Sequence, residues 1–187
     1  MNDTSSVSDA FREAFRCHPA GVAVITADPG EGPVAMTVSS LISVSSAPPT
    51  VAFSLSSHSG PTPAVLASET VVIHLLRYPD LELARLGATP GADRFGPGVE
   101  WERMPTGEPR YTRVATWFRA RISGRLPVEG ATLVAAELLQ GETAEGSKAP
   151  ELESLVYMDR RWHRLREGRD GVASIMSLDV ESRDLFR

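Results

Sequence analysis

The chain lacks several features that would restrict its function. It has one cysteine, Cys17, among 187 residues, so no disulfide can form within it. A cytoplasmic location is expected, because secreted domains of this size often use cysteine pairs. The formal net charge is −5 and no basic tract is present, which argues against nucleic acid as the main partner. The apolar runs are too short for a transmembrane helix and the polar N-terminus lacks a signal-peptide core, so no membrane contact is expected.

Signatures of metal and nucleophile chemistry are also missing. No Gly-x-Ser-x-Gly elbow is present, which argues against a hydrolase triad. Cys17 follows a predicted helix and is expected to be a buried structural thiol. Residues 30–35 match the dinucleotide pattern G-x-G-x-x-A, but they lie in a turn between two predicted strands, where that motif does not operate. The histidines are scattered, with no pair at metal-ligand spacing: His18, His58, His74 and His163.

Short apolar segments separated by Gly/Pro turns predict a mainly β, antiparallel fold with a few short helices, in the form of a barrel. The predicted strands are residues 21–26, 34–40, 50–56, 71–76, 115–122, 132–139 and 155–165. The predicted helices are residues 8–17, 62–66 and 79–86, the first packing Phe11 and Phe15 on the core.

We expect one domain over residues 1–165. Residues 166–187 form a polar C-terminal tail, which holds either a short helix near residues 174–178 or an arm that reaches a second subunit. The Gly/Pro-rich excursion over residues 87–111 is long for a compact domain, and loops of that length are more often functional than idle.

Hydroxyl side chains cluster where two predicted strands end. Thr37, Ser39 and Ser43 alternate along an extended segment and therefore face one side, although a solvated strand edge explains this pattern equally well. The second cluster, residues 56–62, precedes a predicted helix, and its hydroxyls and free N–H groups suit a phosphate. Arg94 could supply the opposite charge, or form a surface salt bridge instead.

The ordered set of sequence blocks resembles the flavin reductase-like family, over nearly all of residues 10–165. The blocks are Phe-Arg-Glu-Ala-Phe-Arg followed by Pro-Ala-Gly-Val-Ala-Val-Ile-Thr (11–26), Met-Thr-Val-Ser-Ser-Leu-x-Ser-Val-Ser (36–45), Pro-Pro-x-Val-Ala-Phe-Ser-Leu (48–55), Asp-Arg-Phe (93–95) before Trp101, and Leu-Val-Tyr (155–157) with an Arg/aromatic run.

The resemblance implies an FMN-binding split barrel that forms a homodimer, with FMN or FAD near the subunit interface and NADH or NADPH as reductant. It assigns ten residues to cofactor binding: Thr37, Val38, Ser39 and Ser40 beside the ring and ribityl chain; Ser54, Ser57, Ser59 and Thr62 near the ribityl chain and phosphate; Arg94 and Phe95 closing the site. No catalytic side chain is expected, because hydride transfer requires stacking of two rings and no protein nucleophile.

Two departures from the family pattern stand out. Family reductases carry Gly-Asp-His before the strand that starts here at Thr132, whereas this chain has Glu129-Gly130-Ala131. The histidine associated with nicotinamide binding is therefore absent from its matching position. The turn over residues 59–62 is also one residue longer than the usual Ser-x-Thr.

Three functions follow as hypotheses. The leading one is an NAD(P)H:flavin oxidoreductase that supplies reduced flavin to a partner monooxygenase. The second is a flavin-binding split barrel that acts as a flavin carrier or electron-transfer module with little NAD(P)H activity. The third is an interaction domain on the same fold without flavin, since a fold does not fix a function.

Overall fold

Antiparallel strands and three short α-helices make up the computed structural model, which describes residues 4–143, 153–167 and 173–177. The helices are α1 (Thr4–Arg16), α2 (Thr62–Ala67) and α3 (Leu81–Ala88). The strands are β1 (Ala20–Gly21), β2 (Ala23–Ala27), β3 (Val34–Val38), β4 (Ile42–Ser46), β5 (Pro49–Ser56), β6 (Thr70–Leu75), β7 (Trp101–Arg103), β8 (Pro109–Tyr111), β9 (Trp117–Val128), β10 (Ala131–Glu142), β11 (Ser154–Met158), β12 (Arg161–Glu167) and β13 (Ala173–Ser177).

The main sheet has seven strands in the order β3-β2-β6-β9-β10-β5-β4. Met36 of β3 and Phe53 of β5, which lie near opposite ends of this order, pack in one buried cluster with Ile73 of the central strand β6. A side-chain bridge joins the two ends, because Ser40 Oγ accepts a hydrogen bond from the Ser54 N–H (2.9 Å) and donates one to the Ser54 carbonyl (3.2 Å). The sheet therefore wraps around its own core.

A second core forms on the other face of β2, against a four-stranded sheet of order β1-β11-β12-β13. Ile25 of β2 belongs to the first cluster, whereas its neighbour Val24 packs with Tyr111 and Trp162 in the second. Alternate residues of a strand point to opposite faces, so β2 is buried on both sides. The hairpin β7–β8 brings Tyr111 to this second core.

Helix α3 lies very close to β3. Thr37 Oγ1 donates a hydrogen bond to the Ala84 carbonyl at 2.7 Å. A Cβ atom added to Gly87 would lie 2.4 Å from Thr37 Oγ1 and 3.2 Å from Thr37 N, so a glycine is needed for this approach. Only the absence of a side chain at Gly87 allows the end of α3 to reach the end of β3.

Two predictions about the N-terminal region are wrong. Phe11 and Phe15 do not pack on the core: they are 58% and 61% exposed and contact each other, with ring centroids 4.5 Å apart. Cys17 is exposed and is not a buried thiol. The amphipathic pattern correctly predicts a helix, but it cannot specify which surface covers its apolar face.

The C-terminal part of the fold also differs from the prediction. Residues 155–165 are a hairpin and not one strand, with a turn at Asp159 and Arg160, whose φ angles are 51° and 60°. No glycine marks this turn, so composition gave no signal for it. The helix predicted near residues 174–178 is wrong, because β13 occupies this segment and pairs with β12. Strand β4 was also missed, since all five of its residues are exposed.

The predicted domain boundary at residue 165 falls inside β12, and the small sheet continues into the predicted tail through β13. The rest of that tail lies outside the described residues, and its role as a dimer arm stays a prediction. None of the helices in the described segments combines the length and apolarity needed to cross a membrane.

His74 of β6 is buried and links strand β2 to strand β8 by hydrogen bonds. Its Nε2 accepts the Tyr111 N–H at 3.0 Å, so Nδ1 carries the proton and donates it to the Val24 carbonyl at 3.2 Å. Burial lowers the pKa of His74 from 6.5 to about 4, against the opposing effect of the Val24 hydrogen bond. The neutral ring is therefore the form that the native fold requires.

We expect Gly87→Ala to lower the free energy of unfolding by about 1–3 kcal/mol, because the new methyl group would overlap Thr37. Helix propensity alone would favour alanine by about 1 kcal/mol. Gly21→Ala is the matched control, since a Cβ there meets nothing within 4 Å. Urea unfolding of both variants is the measurement. An unchanged midpoint for Gly87→Ala would show that α3 can move away at no cost.

Because of His74, the free energy of unfolding should decrease as the pH is lowered. The folded pKa lies below the unfolded value, so the contribution is complete above pH 6.5 and is lost as pH falls towards 4. The loss from this group amounts to about 3 kcal/mol. Titration of the His74 ring protons by NMR is the direct measurement, with a midpoint expected near 4. A midpoint at the ordinary value of 6.5 would contradict the buried neutral ring.

Candidate functional site

A cavity of about 710 Å³ opens where β3 and β5 end, and we call it the serine cavity. Its walls are the β3 exit, the turn between β5 and α2, and the loop that follows α3. Seven of the ten residues predicted for the cofactor site line it: Thr37, Val38, Ser39, Ser40, Ser54, Ser59 and Arg94. Segments far apart in sequence thus meet at one surface, as the two hydroxyl clusters predict.

The other three predicted residues lie beside the serine cavity. The Ser57 N–H donates to the Gly130 carbonyl at 3.0 Å. The buried Thr62 hydroxyl donates to the Ser56 carbonyl at 2.8 Å and closes the turn before α2. Phe95 stacks on Tyr111 with a centroid distance of 5.4 Å and an interplanar angle of 10°. These residues do not line the cavity but support the residues that form its walls.

Ten further residues line the cavity that were not assigned individually to the cofactor, although those of 56–61 belong to the predicted second cluster: Val34, Met36, Ser56, His58, Gly60, Pro61, Gly87, Ala88, Pro90 and Gly91. Glycine and proline around the α3 exit were a usable signal, because loops of this composition often approach ligands with their backbone. Nothing in the sequence marked Val34 and Met36 as lining residues, since apolar residues in a strand are expected to lie in the core.

The hydroxyls of the serine cavity fall into two classes. Those of Thr37 and Ser40 are engaged by Ala84 and Ser54, as described above, and that of Ser56 accepts the His58 N–H at 3.3 Å. Those of Ser39, Ser54 and Ser59 have no hydrogen-bond partner within the described part of the chain. They are accessible in the cavity and can donate to or accept from a ligand.

Arg94 supplies the permanent positive charge of the serine cavity, whose lining contains no carboxylate. Its Nε, Nη2 and Nη1 donate to the carbonyls of Gly87 (3.3 Å), Thr89 (2.8 Å) and Ala92 (3.4 Å). Burial lowers the pKa of this guanidinium, which nevertheless stays charged at any physiological pH. Although the chain has a net charge of −5, the surroundings of the Arg94 guanidinium favour an anionic group.

A second, larger space adjoins the first. This helix groove, of about 1210 Å³, runs between α1, β4 and the β11–β12 turn. Ser39, Ser40 and Ser54 line both spaces. The two spaces therefore adjoin each other at these three serines.

The lining of the serine cavity fits a flavin. Val34, Met36 and Val38 provide an apolar wall, accessible hydroxyls lie along its length, and Arg94 provides a cation. A flat, largely apolar ring with hydrogen-bonding edges and an anionic tail matches these properties. The Glu129-Gly130-Ala131 segment lies in the β9–β10 turn, next to the β5–α2 turn, and does not line the cavity.

Comparison with known proteins agrees with this geometry. The sequence profile described as "Flavin reductase like domain" matches residues 15–166. An NADH:FMN oxidoreductase of Rhodococcus qingshengii is 36% identical over 157 residues, which cover 82% of this chain and 80% of that protein.

Solved structures show the same fold. A flavin reductase domain protein of Arthrobacter sp. FB24 superimposes with a TM-score of 0.76 at 30% identity, covering 84% of this chain and 94% of the other. The styrene monooxygenase flavin reductase of Pseudomonas putida S12 gives a TM-score of 0.70 at 26% identity, covering 82% and 96%. The predicted fold, a mainly β antiparallel split barrel, is confirmed. The match of the profile over most of the chain, on a fold that flavin reductases share, places this protein in the flavin reductase-like domain family.

Proposed function

We propose that this protein is an NAD(P)H:flavin oxidoreductase that reduces FMN or FAD. The observation that carries the proposal is that the serine cavity and the helix groove adjoin each other at Ser39, Ser40 and Ser54. Reduction of a flavin by a nicotinamide requires two ligands to meet face to face. One cavity holds the flavin while the adjoining groove admits the second ligand.

The chain's own groups bind and orient the flavin. Ser39 and Ser54 offer hydroxyls to the polar edge of the ring and the ribityl chain, against the apolar wall of Met36 and Val38. Ser59 and Arg94 hold the phosphate end. Four other residues of the predicted site support these groups through the contacts described above: Thr37, Ser57, Thr62 and Phe95. The chemistry that the bound flavin supplies is acceptance of a hydride from the nicotinamide.

The nicotinamide nucleotide enters from the helix groove. The groove is wide enough for a dinucleotide, and its rim carries Arg16, paired with Asp159 at 2.7 Å, and Arg160. NADH is the reductant that the printed name of the Rhodococcus relative specifies, and we propose NADH or NADPH here.

A second function is favoured by one observation. Ala131 stands where the family's nicotinamide-binding histidine is expected, and no imidazole replaces it in the β9–β10 turn. A chain without that group could bind flavin as a carrier or electron-transfer module while consuming little NADH or NADPH. The nucleotide oxidation assay below separates the two functions.

The reduced flavin is consumed by a separate oxygenase. The similarity to the styrene monooxygenase flavin reductase supports a two-component monooxygenase as the partner. The single, exposed thiol of Cys17 is compatible with a reducing cytoplasm, where we place the protein.

The protein acts as a homodimer with the flavin close to the interface. Leu133 is the register partner of both Leu126 and Ser54, so these side chains share one face of the sheet. Leu126, Val128 and Leu133 are 58%, 53% and 41% exposed. An apolar patch of this kind next to a ligand site requires a cover, and a second copy of the chain provides it.

Ser39→Ala should weaken FMN binding by about 3–10-fold, because one hydrogen bond contributes about 0.5–1.5 kcal/mol. Flavin fluorescence quenching gives the affinity, and loss of NADH or NADPH absorbance with added FMN or FAD gives the activity. Ser123→Ala is the control, since Ser123 lies in β9 and donates to the Ala135 carbonyl, away from the cavity.

Three outcomes of this assay distinguish the functions. Nucleotide oxidation that depends on flavin supports the reductase. Flavin binding without oxidation of either nucleotide leaves the carrier. A protein that binds neither FMN nor FAD would be the interaction domain without flavin.

Leu133→Glu should convert the dimer to a monomer and also reduce flavin affinity, since Leu133 lies opposite Ser54. Leu139→Glu is a matched control on the same strand: Leu139 is 42% exposed, but it lies roughly 20 Å further along β10. Light scattering coupled to size exclusion measures the mass. A wild-type monomer, or a dimer that both variants retain, would exclude the interface proposed here.

A further inference from the structure

Tyr111 connects the buried core to the wall of the serine cavity. It is 1% exposed and does not line the cavity. Its backbone N–H is held by His74 Nε2 at 3.0 Å, and the His74 ring is held by Val24 through Nδ1. At its other end, the Tyr111 hydroxyl donates to the Arg94 carbonyl at 2.9 Å. Tyr111 thus links β2, through His74 and its backbone N–H, to the loop that carries Arg94, through its hydroxyl.

The ring of Tyr111 is fixed independently of its hydroxyl. Phe95 stacks on it with a centroid distance of 5.4 Å, and His74 packs at 5.3 Å. The Trp101 indole holds this loop by donating to the Phe95 carbonyl at 2.9 Å. Phenylalanine would satisfy the packing equally well, and it would avoid burying a hydroxyl, which is costly unless hydrogen-bonded.

The hydroxyl has one described acceptor, and that acceptor belongs to the residue that supplies the cavity's cation. Burial raises the pKa of Tyr111, so it remains a proton donor at any physiological pH. Fixing the Arg94 backbone restricts where its guanidinium can lie. Three of its five N–H groups hold the carbonyls of Gly87, Thr89 and Ala92, which leaves two for a ligand.

We propose that Tyr111 is a positioning residue for the phosphate of the bound flavin, and that it acts through Arg94. The inference rests on the proposed function, because it requires a phosphorylated flavin in the serine cavity. The hydroxyl of Tyr111 strengthens the preference of the cavity for FMN over riboflavin, which lacks the phosphate. It has no part in holding the ring system.

Tyr111→Phe tests this directly, since it removes one oxygen and keeps the ring. The dissociation constant for FMN should rise by about 3–10-fold, the value of one hydrogen bond, whereas that for riboflavin should change by less than about twofold. In turnover, KM for FMN should rise while kcat is retained. Tyr78→Phe is the control, because Tyr78 packs beneath Arg164 and does not line the cavity.

A double-mutant cycle identifies the route of the effect. Arg94→Ala should abolish most of the preference for FMN, and Tyr111→Phe added to it should change that preference no further. Additive losses would mean that Tyr111 acts by another route. If Tyr111→Phe weakens FMN and riboflavin equally, the tyrosine is only a packing residue and the inference is overturned.

The remaining outcomes separate this inference from the function on which it rests. A wild-type protein that binds neither FMN nor FAD removes the proposed function and the inference together. A wild-type protein that binds FMN more tightly than riboflavin, with the preference intact in Tyr111→Phe, removes the inference alone. Thermal unfolding of each variant verifies the native fold. Should Tyr111→Phe not fold, Tyr111→Met replaces it, because methionine also lacks the hydroxyl and adapts to irregular apolar space; the same selective loss of FMN affinity is expected.

Discussion

The close approach of α3 to β3 is the constraint on which the rest of the site depends. Thr37 reaches the Ala84 carbonyl and Gly87 leaves room for it, so the end of the helix lies against the exit of the strand. This contact sets the position of the loop whose carbonyls hold the Arg94 guanidinium. A bulkier residue at Gly87 would separate the cation from the serines on the opposite wall.

Two hydroxyls of the predicted cofactor site also hold the walls of the cavity together. Thr37 joins the helix to the strand, and Ser40 bridges to the Ser54 backbone beyond the last pair of β4 and β5, Ile42 with Ala52. The Ser40 hydroxyl supplies a partner for both the N–H and the carbonyl of Ser54 and so stabilises this open edge of the sheet. Neighbouring hydroxyls of one cluster therefore differ in their contacts, since Ser39 lines the cavity without such a bridging bond.

The exposed apolar surface and the polar cavity are parts of one arrangement. Ser54 lies in both cavities and beside Leu133, and the apolar faces of α1 and β10 remain exposed in a single chain. A second copy that covers Leu126 and Leu133 would also exclude water from the edge of the site. Dimer formation and flavin binding would then stabilise each other, since each buries surface that the other leaves exposed.

The sequence by itself determined the fold class, most of the strands, and the two hydroxyl clusters with Arg94. These features depend on local pattern: alternation of apolar residues, Gly/Pro turns and the order of the family's sequence blocks. Three properties depended on contacts between distant segments and were decided by the tertiary structure. These are the exposure of Phe11 and Phe15, the retreat of Ser57, Thr62 and Phe95 behind the cavity, and the link from His74 through Tyr111 to Arg94. A periodic pattern states that a side chain will be buried or hydrogen-bonded, but the identity of its partner is fixed only when strands far apart in the chain are packed together.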